Sequence, residues 1–253
     1  MHDLPAPGPV ARATAWLGGA VFVVSLAAAL FTFAFRMEPA SDGTAPSTGS
    51  GGGPSTSSGQ RTARAAAVDV LLFTAFALHH SVFARTSVKR RVLRVIGGRL
   101  ERSLYVWVAS LLLLGVLFWW EALPGRAYRH QGWAAVPHWL VVAAGVWLTA
   151  RAAGIIDPLQ LAGIRQVIGG GRDDRFQVVG PYHLVRHPIY LGWILIVFGI
   201  PDMTWTRFAF AAVSSAYLAT AIPFEERTLV ETFGQTYREY QRNVRWRLVP
   251  GVW

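Results

Sequence analysis

Gly180-Pro181-Tyr182-His183-Leu184-Val185-Arg186-His187-Pro188-Ile189-Tyr190 is a polar, partly cationic loop that runs straight into the apolar residues 191–200. Pro188 lacks a backbone donor and suits the first turn of a helix, which places His187 where that helix begins. Orphan amides and a positive dipole end therefore face whatever lies beside Arg186 and His187. A second apolar run, 208–222, precedes Glu225-Glu226-Arg227. Folded as a helical hairpin turning at Pro201-Asp202-Met203-Thr204, the two runs bring both polar clusters to one membrane surface. The first arm, 188–200, is about 20 Å long as a helix and falls short of a hydrocarbon core of roughly 30 Å.

Composition agrees with a membrane chain. Of 253 residues, 53% are hydrophobic and only 15% charged, where soluble domains carry about 25% charged residues. There is no cysteine, which excludes disulfides, thiolate zinc sites and a cysteine nucleophile. The net charge of +10 falls between apolar runs. It reads as topology signals and contacts to anionic lipid, not as a nucleic-acid surface.

Working outward, residues 16–35 form an apolar run long enough to span the core. A signal peptide is the alternative, but its apolar region is usually about 7–15 residues. Residues 37–64 are rich in Ser, Gly, Thr and Pro and read as a flexible linker. That divides the chain into an N-terminal transmembrane helix (1–36), the linker (37–64) and a membrane domain (65–253). Within the domain, apolar runs at 65–80, 104–120 and 139–153 precede the hairpin. The densest positive charge, Arg85, Lys89, Arg90, Arg91, Arg94, Arg99 and Arg102, marks a cytoplasmic loop. The tail, 224–247, alternates apolar and charged positions and predicts an amphipathic helix on the same face. The expected fold is all-α, a polytopic bundle of about six transmembrane segments with a cytosolic C-terminal helix.

Threaded this way, His79, His80, Arg186, His187, Tyr190, Glu225 and Glu226 meet at the cytoplasmic boundary. Three readings compete there. A di-iron oxidase needs more histidines than remain once His2, His130 and His138 fall elsewhere, and Pro188 keeps His183 and His187 off a shared helical face. No metal is expected. A purely structural reading makes Arg186 a headgroup contact, His187 a cap and Tyr190 part of an aromatic belt, while Pro223 opens a new helix whose first-turn dipole favours the Glu pair. The third reading is a binding site. Asp69, an acid inside an apolar run, is assigned a structural pairing near the outer interface.

Gly-Pro-Tyr-x-x-x-Arg-His-Pro-x-Tyr (180–190), the apolar hairpin and Glu225-Glu226-Arg227 resemble the integral-membrane methyltransferases of the isoprenylcysteine carboxyl methyltransferase type. Phe233-Gly234-Gln235-Thr236-Tyr237-Arg238-Glu239-Tyr240 is similar to their cytosolic tail. Within that superfamily the likeness is greatest to the bacterial methanethiol S-methyltransferases, on Ala77-Leu78-His79-His80-Ser81-Val82-Phe83-Ala84-Arg85, Glu101-Arg102-Ser103-Leu104-Tyr105, residues 157–167 and Pro201-Asp202-Met203-Thr204. The resemblance covers roughly residues 65–247. It departs at His79, where a Gln is common, and at Pro223, where a basic residue is common.

The resemblance implies a bacterial inner-membrane enzyme, its site facing the cytoplasm, that uses S-adenosyl-L-methionine. It implies a cofactor site of Gln166, Tyr182, Arg186, His187, Pro188, Tyr190, Glu225 and Glu226. Carboxylates suit ribose hydroxyls and an ammonium, and Arg186 suits the donor's carboxylate. The implied partners are the lipid bilayer and a small apolar thiol, methanethiol first, yielding dimethyl sulfide. Such a thiol must lose its proton, so Arg186 is a candidate for lowering its pKa and His79 or His80 for accepting the proton. A lipid or isoprenoid-like acceptor, or a non-catalytic protein keeping a relict pocket, are the alternatives.

Overall fold

The computed structural model describes residues 8–40, 56–83, 100–168, 176 and 178–253. Helix α1 (Pro9–Phe31) starts on a proline, needs no amide donor there, and continues into a π-helical stretch, Thr32–Arg36. Then come α2 (Thr56–Phe83), α3 (Glu101–Trp119), a strand β1 (Arg126–Arg129) and α4 (Val136–Ile156). Two single turns follow, α5 (Pro158–Leu161) and α6 (Arg165–Ile168). The hairpin is α7 (Pro188–Gly199), β2 (Asp202–Thr204) and α8 (Trp205–Phe233), and the chain closes with α9 (Gln235–Asn243). Among the described residues five helices are long and apolar enough to cross a membrane, with α7 as a shorter sixth, so this is an integral membrane protein. Phe118, Leu71, Leu140 and Trp147 are exposed on the outside of the bundle, where acyl chains replace water.

Helices in lipid gain little from burying apolar surface against one another, so contacts depend on small residues and polar links. The α4–α7 contact is the most extensive helix pair among the described residues. A Cβ on Gly192 would sit 2.2 Å from Thr149 Oγ1, and one on Gly145 would sit 2.7 Å from the Gly192 carbonyl. Helix α1 joins the bundle the same way: a Cβ on Gly18 would lie 2.7 Å from Trp107, whose Nε1 donates to the Thr14 carbonyl at 3.1 Å.

The ends of the bundle differ in chemistry. At the end away from the 180–190 loop, β1 pairs antiparallel with β2, and a polar knot fills the space beneath. Arg207 is its centre. Its guanidinium donates to the carbonyls of Phe33 (2.9 Å), Ala34 (2.9 Å) and Asp202 (2.8 Å), and to Glu38 (3.1 Å). Arg126 pairs with Asp202 and Glu38. Asp69 accepts from the Glu121 amide at 2.8 Å in the same layer.

Several boundaries move. Thr56–Arg64 extend α2 instead of belonging to a linker, and Ala40 bridges to Pro124, its amide bonded to the Leu123 carbonyl at 3.1 Å. Ala-rich sequence propagates the helix past the Ser/Gly composition that signals flexibility. The rest of the expected linker, 41–55, and the basic loop 84–99 lie outside the described residues. Pro223 does not open a new helix. It sits inside α8, which runs through from Trp205 to Phe233, as prolines in membrane helices do where neighbouring groups re-satisfy the freed backbone. Nor is the tail one helix over 224–247. Gly234, at φ 58°, breaks it, and Val244 ends the second piece.

Candidate active site

Gly180–His183 forms a 3-10 turn whose glycine takes the left-handed φ of 56° that the turn needs. Pro188 then occupies the first turn of α7, with His187 as its N-cap residue. Between turn and helix the loop is clamped by the C-terminal segment. The amides of Arg186 and His187 donate to the carbonyls of Trp246 and Arg247, each at 2.9 Å. Tyr240 O–H donates to the Tyr182 carbonyl at 2.7 Å, and Tyr182 O–H reaches the Ala152 carbonyl at 3.5 Å. Tyr237 and Tyr240 pack with Phe176 and Phe233 beneath α9. Burial pushes the Tyr182 phenol up to about 12 and raises those of Tyr237 and Tyr240, so all three stay neutral hydrogen-bonding groups.

The clamp holds a buried ion centre. Arg186 Nε donates to Glu226 Oε1 at 2.6 Å, while Nη1 donates to the carbonyls of Val244 (2.7 Å) and Arg245 (3.1 Å). The other oxygen of Glu226 accepts from Gln241 Nε2 and Arg247 Nε, both at 3.2 Å. His187 lies between the acids, with Nε2 3.4 Å from Glu226 and Nδ1 3.7 Å from Glu225. Its ring stacks on Tyr190 at 5.5 Å, and Tyr190 O–H donates to Glu225 Oε1. Removing one partner of so buried a pair costs about 3–5 kcal/mol. The structure thus brings Tyr182, Arg186, His187, Pro188, Tyr190, Glu225 and Glu226 together.

His79 lies near the end of α2. Its ring stacks on Tyr105 at 5.5 Å, and its Nε2 is 3.5 Å from the Tyr105 carbonyl. Tyr105 in turn is within electrostatic range of Glu225 and Tyr217. The side chains of His80 and Gln166 lie outside the described residues. Arg186, which also holds Glu226 and two carbonyls, lines an adjacent cleft of about 290 Å³ together with Arg245, Trp246, Arg247 and Trp253. Sequence reading missed Gln241, Arg247 and Tyr105 as neighbours of the acids. The Tyr-x-x-Tyr spacing of α9 was the one available signal that the tail packs back on the loop.

Known proteins share much of this chain. It is 38% identical over 188 residues to methanethiol S-methyltransferase 2 of Bradyrhizobium diazoefficiens, covering 70% of each chain. It is 36% identical over 188 residues to the methanethiol S-methyltransferase of Pseudomonas deceptionensis, again 70% of each. It is also similar to nurim of Xenopus laevis, 31% over 169 residues, which is 60% of this chain and 58% of that one. No family model matches, and no solved structure matches significantly.

Proposed function

Because this chain belongs to the family of the methanethiol S-methyltransferases, we infer that it transfers a methyl group to methanethiol, giving dimethyl sulfide, with S-adenosyl-L-methionine as donor. The observation that carries the reading is the joining of the Arg186–Tyr190 stretch to Glu225 and Glu226 through His187.

The side chains suit the donor. The acids and the Tyr190–His187 stack offer acceptors and an aromatic face, while the cleft beside them offers guanidinium groups for a carboxylate and two indoles for a purine. When bound, the donor supplies an electrophilic methyl on a sulfonium. The protein's part is to fix geometry and exclude water, since in-line displacement depends on placing sulfur behind the methyl group. Arg186 contributes by holding Glu226, and Tyr182, His187, Pro188 and Tyr190 shape the wall. His79 and Tyr105 border the side from which an apolar acceptor arrives through lipid. Gln166 and His80 belong to the same proposal on sequence grounds alone. The catalytic unit is residues 65–253 with α1 packed into it, set in a bacterial inner membrane with the site toward the cytoplasm.

Purified protein given methanethiol and S-adenosyl-L-methionine is expected to release dimethyl sulfide into the headspace, and calorimetric titration is expected to show donor binding. Headspace no richer than that over boiled protein ends the substrate assignment.

A further inference from the structure

The two adjacent carboxylates do different work. Glu226 keeps 5% of its side-chain exposure and is held by Arg186, His187, Gln241 and Arg247, so both of its oxygens are committed. Glu225 keeps 35% and turns about 100° away along the helix, toward Tyr190 and Tyr105. One acid is sealed inside the fold; the other keeps a third of its side chain at the surface, beside Tyr190 of α7 and Tyr105 of α3.

His187 makes the open acid a place for a proton. Its Nε2 lies 3.4 Å from Glu226 and its Nδ1 3.7 Å from Glu225, so one ring touches both acids, and a proton taken up by the open one sits beside a ring nitrogen that can share it.

We propose that Glu225 accepts the proton of the methanethiol S–H, with His187 as the positioning residue that shares it and Glu226 as the anchor of the pair. This rests on the methyl-transfer reading above. The S–H bond breaks and its proton passes to Glu225. The electron pair left on sulfur forms the new S–CH₃ bond. The bond from that methyl carbon to the donor's sulfonium breaks, its electrons remaining on the donor sulfur as a neutral thioether. Glu225 then returns its proton to water at the membrane surface.

The test compares two acceptors of one shape. Methaneselenol is nearly isosteric with methanethiol and already ionised at neutral pH, so it needs no base. At saturating donor, Glu225→Gln is expected to lower kcat for methanethiol by about 10²–10³-fold and to lose far less with methaneselenol. Glu225→Asp recovers part of the thiol rate. Working at saturating donor removes any change in donor affinity from the comparison, and the helical signal in circular dichroism reports that the variant is folded. Equal losses with both acceptors, or a loss confined to donor affinity, overturn the assignment. So does His79→Gln showing the selective, selenol-rescued loss in place of Glu225→Gln. Failure of the wild-type protein to make dimethyl sulfide from methanethiol instead sinks the methyl-transfer reading and is seen in the control.

Discussion

Arg186→Ala leaves Glu226 buried with its strongest partner gone and strips two carbonyls of the tail of their donor. The expected loss is about 3–5 kcal/mol, read as a lowered melting temperature in detergent. Tyr190→Phe, one helical turn away, removes a single O–H from a partly open acid. It is expected to cost about 0.5–1.5 kcal/mol, so the two melts rank the contacts. At this scale the sequence could bring Arg186, His187 and the Glu pair to one surface, because Pro188 and the hairpin fix where each run ends. It could not reveal that Gln241 and Arg247 complete the shell of Glu226. They lie 15 and 21 positions further on, and their return depends on chain reversals at Gly234 and Val244 that composition does not encode.

Among elements, the contact between α4 and α7 and the C-terminal clamp invite separate tests. Gly192→Ala drives a methyl group into Thr149 and the Gly145 carbonyl. Overpacking of this kind typically costs about 1–3 kcal/mol, and it displaces the helix on which His187 and Tyr190 ride, so donor affinity by calorimetry is expected to fall along with the melting temperature. Deleting residues 244–253 removes the carbonyls that hold the Arg186 and His187 amides, together with Arg247. The truncated chain is expected to insert with nearly the wild-type helical signal in circular dichroism but to lose donor binding. Element type was legible wherever apolar runs were long. The position of Pro223 was misread because proline marks a helix start in water, whereas inside a packed membrane helix the lost hydrogen bond is tolerated. The short ribbon of β1 and β2 left no alternating pattern to read, since three or four residues are too few to show one.

For the molecule as a whole, two polar layers brace a bundle whose sides are apolar. The far layer turns on Arg207, whose guanidinium satisfies carbonyls at the π-helical end of α1 that the helix itself cannot. Arg207→Met is expected to lower the melting temperature by several degrees while leaving donor affinity within about threefold, since tens of ångströms of helix separate it from the ion centre. A parallel loss of affinity measured by calorimetry would show that the layers are coupled. The six-segment topology was legible in the sequence because each span is bounded by charge; the tight docking of α1 was not, because it depends on glycines and on one distant arginine. The brevity of α7 carries a consequence of its own. Its 12 residues make a rod of about 18 Å beside the 21 residues of α4, about 32 Å long, so the taller helix extends past the shorter one and the hydrocarbon layer is deeper than α7 can line. A small uncharged thioether formed beside it is soluble in oil as well as in water, so partition into the surrounding lipid is an exit open to it.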